Sequence, residues 1–411
     1  MSSPQVPPPI VALASAVAAA GGRIYLVGGG VRDHLTGGEV KDWDLEVFGL
    51  AAEALSRLLR DRGSINEVGR SFGVYKWTPR GGAAHEIDVS IPRRDSKVGP
   101  GHKGIAVEGD PTMSLVEAAR RRDLTINAMM WDLVHDRLED PWGGRDDLQA
   151  RRLRAVDPAT FLEDPLRALR VVQFAARLGF DADPSLVEIC RAAALDELPA
   201  ERICGEWGKL LLRGREISRG LRFAREARIT QRVFPTVADL DTDAVVDRAT
   251  ALRDGSSGDG WRWALMLAAW LYPAAPPAIT AALDVLGMHT VGGYRVRERV
   301  MQGVALRSAP IATDADLRNL SAQTEVRLAL ALREAVGEPV AEARDRASSL
   351  GVLDAKPAPL LLGRHLAALG CPPGRKMGEV VAAVYQQQLD GVVSTLDQAT
   401  AAAAALLARG D

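Results

Sequence analysis

With 411 residues, 47% hydrophobic and 25% charged, the chain has ordinary globular usage and length for more than one domain, which excludes a fibrous or low-complexity polypeptide. A net charge of −2 excludes polynucleotide binding through overall basicity, so any such affinity must come from local patches. No stretch is apolar for long enough to span a membrane, and Cys190, Cys204 and Cys371 lack metal-ligand spacing, which fits a reducing, cytoplasmic setting.

The alanine-rich run 11–20 lacks a basic leader and ends in Gly21-Gly22, so it reads as an N-terminal helix and not a signal peptide. Residues 23–27, RIYLV, are apolar and β-branched or aromatic, a buried strand that ends at Gly28-Gly29-Gly30. Phosphate can approach bare backbone at such a turn; residues 31–35 read as a helix, and Arg32 adds a fork of donors for phosphate oxygens. After the turn signal Gly37-Gly38, residues 40–48 alternate as a strand, which predicts that Asp42 and Asp44 project from one face and converge. Two such carboxylates suit hard divalent cations such as Mg²⁺, which share their shell with substrate phosphates.

Farther along, Asp88 lies in the alternating run 86–90 and is a candidate third carboxylate, although a charge on the wet face of a strand is commonplace. The run 93–104, with Gly99, Pro100, Gly101 and Gly104 among charged residues, reads as a loop. His135-Asp136 reads as a hairpin or surface pair. Residues 120–129 press three arginines and Asp123 against an apolar segment. In 163–170 a proline opens a helix that sets Asp164, Arg167 and Arg170 near one face, an arrangement that also suits a plain surface ion pair. Beyond Pro158 the pattern is helical almost throughout. Lys209, Arg213, Arg215, Arg219, Arg222, Arg225, Arg228 and Arg232 gather there as a candidate phosphate-tracking surface, with a solvated helix face as the equal alternative. Arg375 and Lys376, after Pro373-Gly374, are a weaker candidate.

These motifs, in this order, resemble the class II tRNA nucleotidyltransferase (CCA-adding enzyme) and bacterial poly(A) polymerase family. The Gly-Gly-x-Val-Arg-Asp turn with Asp42-Trp43-Asp44 is similar to motif A, residues 121–128 to motif B, and Asp140 to Gly144 with Asp147-Leu148 to motif C. Glu163-Asp164-x-x-Arg167 resembles motif D. Glu201-Arg202-Ile203 with Glu206, Lys209 and Leu210 resembles motif E, and Arg364 to Gly370 with residues 388–391 resembles a C-terminal stretch of these enzymes. Motif D normally continues with arginine where this chain has Gln173, and motif B more often has phenylalanine at Leu124.

The resemblance implies an α/β nucleotidyltransferase head with a small mixed sheet (1–140), a helical neck with a base-recognition motif (141–230), and an all-α body and tail that bind tRNA (231–411). It implies Asp42 and Asp44 as catalytic and metal-holding residues, and Gly28, Gly29 and Arg32 on the triphosphate. Arg122, Asp123 and Asn127 would contact sugar and phosphates, and Asp164, Arg167 and Arg170 the base. Cytosine and adenine both offer an amino donor beside a ring-nitrogen acceptor, so one acceptor and one donor read both. The implied function is addition of CCA to the 3′ end of tRNA from CTP and ATP. Family enzymes that stop after two cytidines have the loop shortened, and here it looks full length. CC addition, A addition, poly(A) synthesis and a catalytically silent RNA-binding relative are the alternatives. The histidines are too scattered for a phosphohydrolase domain.

Overall fold

The computed structural model describes residues 3–67, 73–81, 86–97 and 105–408. The chain divides into two compact units, Met1–Pro199 with Glu226–Ile229, and Ala200–Arg225 with Thr230–Asp411, where the sequence suggested three parts.

The first unit opens with α1 (Pro8–Ala19), β1 (Arg23–Val27), α2 (Gly29–Leu35), β2 (Asp44–Phe48) and α3 (Ala52–Arg60). β3 (Gly63–Glu67), β4 (Val74–Pro79), β5 (Ile87–Ser90), β6 (Arg93–Lys97) and β7 (Ile105–Gly109) follow, then α4 (Leu115–Arg120), β8 (Met130–Asp132) and β9 (Arg137–Glu139). It closes with α5 (Gly144–Gln149), β10 (Arg152–Leu153), α6 (Pro158–Phe161), α7 (Leu166–Leu178), β11 (Asp181–Ala182) and α8 (Pro184–Ala192).

Seven strands form one sheet in the order β3-β4-β5-β2-β1-β8-β9, and only β2 and β5 run parallel, so the sheet is mixed as expected. Alternation along β1 sends Tyr25 and Val27 to one face, where they close with Phe48 and Met130 on Ala118, Ala119 and Ala128. This brings the C-terminus of α4, with its arginines, over the face of β2 that carries Asp44 and Glu46.

Two sequence expectations change. The strand expected over 40–48 begins only at Asp44, because residues 40–43 pair with no neighbour among the described residues and Asp42 lies in a bend. The segment expected as a loop over 93–104 begins as β6, paired antiparallel with β7 from Arg93↔Gly109 to Lys97↔Ile105. Residues 98–104, with Pro100-Gly101, lie outside the described residues.

The helical remainder comprises α9 (Ala200–Arg213), α10 (Ile217–Glu226), α11 (Ile229–Val233), α12 (Asp243–Asp254), α13 (Asp259–Leu271), α14 (Pro276–Val285) and α15 (Val296–Ala305). α16 (Asp314–Gln323), α17 (Val326–Val336), α18 (Ala341–Ser349), α19 (Gly363–Ala368), α20 (Arg375–Leu389) and α21 (Leu396–Ala408) complete it. α13 is apolar on every side and buried from Trp263 to Leu271, the mark of a central helix. Trp207 on α9 meets Phe234 at 4.6 Å and Trp270 at 5.1 Å between ring centroids.

Arginines close several helices here. Arg253, almost fully buried, donates from Nη1 to the Leu211 carbonyl at 2.7 Å and from Nη2 to the Gly214 carbonyl at 2.9 Å, satisfying the end of α9. Arg248 does the same for Ala335 and Val336 at the end of α17. Arg253→Met keeps the stem but removes both charge-assisted bonds, and is expected to lower unfolding free energy by about 2–4 kcal/mol. Urea unfolding followed by tryptophan fluorescence measures this.

Candidate active site

β1 ends at Val27, and Gly28 follows with φ 71° and ψ −135°, a backbone state that L side chains resist. Space is limiting as well. A Cβ on Gly28 would lie 3.3 Å from Arg122 Nη1 and 3.9 Å from Asp44 Oδ2, and one on Gly29 would lie 3.4 Å from Arg32 Nη2. The glycine turn, an acidic group and two guanidinium groups therefore meet at one place.

Asp44 opens β2 in register with Asp88 on the parallel β5, so both project from the same face. Burial pushes the Asp44 carboxyl above its ordinary range, the charges of Asp88 and Asp42 push it the same way, and Arg122 opposes them. Asp42 thus lies close enough to act on Asp44, although it precedes the strand. Lys76 stands 3.6 Å from Asp88 while holding Glu86 at 2.6 Å. Among the described residues no three Asp, Glu, His or Cys side chains form an ion cage alone. The donors present are hard carboxylate oxygens crowded by like charge, which fits a divalent cation that completes its shell from substrate phosphates.

Glu46, two residues beyond Asp44 and fully buried, was not singled out by the sequence analysis, although it continues the period of Asp42 and Asp44. It receives Arg121 Nη2 at 2.5 Å and Arg122 Nη2 at 3.4 Å. Arg122 is thereby suspended between Glu46 and the Gly28–Asp44 edge. Its Nε and that of Arg121 are buried and meet no hydrogen-bond partner among the described residues.

A chain of polar contacts then runs toward α7. Arg32, expected on the triphosphate, is 5% exposed and gives Nη1 to Asn127 Oδ1 at 2.7 Å and its Nε and Nη2 to Asp33 Oδ1. Asn127 Nδ2 donates to Asp123 Oδ1 at 3.1 Å, the Leu124 N–H donates to the same oxygen at 2.7 Å, and Arg170 Nε donates to Asp123 Oδ2 at 2.6 Å. Burial alone would raise the Asp123 carboxyl, but the charge and hydrogen bond of Arg170, with Asn127 and the Leu124 N–H, hold it below its ordinary range. Its ion pair with Arg170 and these hydrogen bonds therefore stabilise the fold above the normal aspartate range, and that contribution is lost as pH falls through the depressed value.

A short 3-10 turn, Thr125–Asn127, presents Asn127. It is clamped from below by Asp147, whose fully buried carboxylate accepts from Thr125 Oγ1 at 2.6 Å, Arg152 Nε at 2.7 Å and Arg154 Nε at 2.8 Å. Gly144 presses against the same turn. A Cβ there would stand 2.1 Å from the Thr125 carbonyl oxygen.

Asp164 precedes α7 instead of lying on it, and its Oδ1 accepts the Leu166 N–H at 3.1 Å. Arg167 gives Nη1 to the Thr160 carbonyl at 2.7 Å and Nη2 to the Arg121 carbonyl at 2.5 Å, which ties α7 to the residues that follow α4. Gln173, where the resemblance implies arginine, is buried and accepts from Arg177 Nη1 at 3.0 Å. His135 lies in the turn between β8 and β9, as expected, with Nδ1 beside Asp132.

The basic run is less free than its sequence suggests. Lys209 pairs with Glu206, Arg219 with Glu216, and Arg222 and Arg225 with Asp243, while Arg213, Arg215 and Arg228 are exposed. Arg375 pairs with Glu379.

Residues 24–154 match the family described as Poly A polymerase head domain. The chain is 39% identical over 222 residues to the Multifunctional CCA protein of Nitrosomonas eutropha, covering 53% of this chain and 51% of that protein. It is 36% identical over 276 residues to that of Alkalilimnicola ehrlichii, covering 65% and 63% respectively. The chain thus spans about half the length of the curated relatives it matches. Its fold matches the Bacillus stearothermophilus CCA-adding enzyme in complex with CTP, with TM-score 0.72, 22% identity and 98% of each chain covered. It also matches the Thermotoga maritima CCA-adding enzyme complexed with tRNA, with TM-score 0.67, 19% identity, and 99% and 97% covered. Among the described residues no helix is long and apolar enough to cross a membrane. Residues 24–154, which carry the glycine turn and the acid-bearing strand beside it, are thus similar to the poly A polymerase head domain.

Proposed function

We propose that the protein is a cytoplasmic, template-independent RNA nucleotidyltransferase that adds CCA to the 3′ end of tRNA from CTP and ATP, releasing pyrophosphate. The observation that carries this reading is the meeting of Gly28, Asp44 and Arg122 on one edge of the sheet, joined through Asn127 and Asp123 to Arg170 on α7. The names of the curated relatives, and the CTP and tRNA complexes among the structural matches, support it.

Asp42 and Asp44 would hold Mg²⁺, which when bound supplies charge neutralisation at the phosphates and a lowered pKa for the attacking hydroxyl. The remaining work falls to the chain. Gly28 and Gly29 admit the triphosphate to the backbone, Arg122 offers it positive charge, and Arg32 adds charge from beneath Gly29. Asp123 and Asn127 face the sugar from a turn whose position Asp147 fixes. The 3′-hydroxyl of the RNA displaces pyrophosphate at the α-phosphorus, so no covalent enzyme intermediate is required. Asp164 accepts from the exocyclic amino group of cytosine or adenine, Arg167 donates to the ring nitrogen, and Arg170 supports both. Arg167 gives two of its five N–H groups to carbonyls, which leaves donors for a base.

Incubation of purified protein and Mg²⁺ with tRNA lacking its terminal CCA, with CTP and ATP separately and together, is expected to give CC from CTP alone and CCA from both. A long tail from ATP alone would identify a poly(A) polymerase instead. No incorporation of either nucleotide would reject the enzymatic reading.

Asp42→Asn and Asp44→Asn are each expected to lower incorporation by about 10³-fold or more while the protein stays folded by circular dichroism, and chelation should mimic them until Mg²⁺ is restored. Asp164→Ala is expected to narrow the kcat/KM ratio of CTP over UTP about tenfold or more, read by single-nucleotide incorporation.

A further inference from the structure

One side chain in this region has no part in the chemistry above. The Phe174 ring, 5% exposed on α7, has three guanidinium groups about it: Arg170 at 5.4 Å, Arg32 at 5.5 Å and Arg177 at 5.9 Å from Cζ to centroid. Arg170 and Arg177 lie one turn to either side on the same helix. Arg32 arrives from α2, the helix that follows the glycine turn. Three like charges gathered round one point repel, and an aliphatic side chain would do nothing to offset this. A phenyl ring presents a negative face that attracts each of them.

The hydrogen bonds described above fix the edges of two of these groups, Arg32 by Asn127 and Asp33 and Arg170 by Asp123. Phe174 touches both, so a displacement of Arg170 on the base-reading side is felt by Arg32 beneath Gly29.

We propose that Phe174 is a positioning residue that sets Arg32 and Arg170 jointly, coupling nucleobase reading to triphosphate binding. The proposal rests on the function proposed above and concerns that same site. It makes the π face of the ring, and not only its volume, the relevant property.

The test keeps shape and changes the face. Mono-, di- and trifluorophenylalanine placed at Phe174 drain the ring progressively while filling the same space. The KM for CTP and for ATP is expected to rise stepwise to about fivefold at three fluorines, with kcat changed less than twofold and the preference for CTP over UTP falling in parallel. Phe174→Leu is expected to reproduce the trifluoro result, and Phe174→Tyr to restore wild-type values. Unchanged KM and discrimination across the fluorine series would overturn the proposal, as would an effect of Phe174→Leu confined to thermal stability.

Equilibrium dialysis of CTP without RNA separates this idea from the function on which it rests. If the wild-type protein incorporates nothing, the enzymatic reading fails. The Kd for CTP across the same series then still decides whether Phe174 positions the nucleotide site: a stepwise rise as the ring is drained supports it and a flat Kd overturns it.

Discussion

The carboxylate of Asp123 is the contact on which the site depends. It is buried, and a buried charge is costly unless every lone pair is met. Here the Leu124 N–H, the Asn127 amide and the Arg170 guanidinium meet it from three directions. Because these partners sit on different segments, satisfying one charge brings together the turn after α4 and the helix α7, while Asn127 passes the constraint on to Arg32. Removing Arg170 would leave the charge buried and under-compensated, so the elements are held to one geometry by a penalty for separating. A hydrophobic contact of equal area would allow them to slide.

A second acid does the same from the other side. Asp147 is buried between Arg152, Arg154 and Thr125, so the turn carrying Asn127 is pinned above by Asp123 and below by Asp147. Arginine is used throughout the molecule for such fixed tasks. Arg248, Arg253 and Arg333 give their donors to carbonyls at or beyond helix ends, and several members of the basic run are neutralised by nearby acids. The count of 51 basic against 53 acidic residues therefore conveys little about the charge open to a ligand.

Much of this was legible in the sequence. The strand over 23–27, the glycine turn, the helical character after Pro158 and the hairpin position of His135 all follow from local pattern, because apolar period and turn chemistry are local properties. What stayed hidden depends on distant pairing. Asp42 and Asp44 read as neighbours on one strand face, yet only Asp44 is paired, since strand limits are set by the partner and not by the segment's own alternation. Arg167 read as a donor aimed at a base, but carbonyls from residues 7 and 46 positions away claim two of its donors. Glu46 and Phe174 carried a weak signal, a continued period for one and a place between arginines at helical spacing for the other, and neither has meaning until the facing element is in place.

The parallel join between β2 and β5 has a consequence for how the acids keep their alignment. Asp44 and Asp88 face each other through that join alone, while β3 and β4 extend the sheet outward from β5. Length changes in the outer hairpin would accumulate at the margin of the sheet and leave the two aspartates level. A single-residue slip of β5 against β2 would instead turn Asp88 to the opposite face and put Ile87 or Val89 beside Asp44. The peripheral strands are thus free to vary in size, while the spacing between the acids is held to the residue.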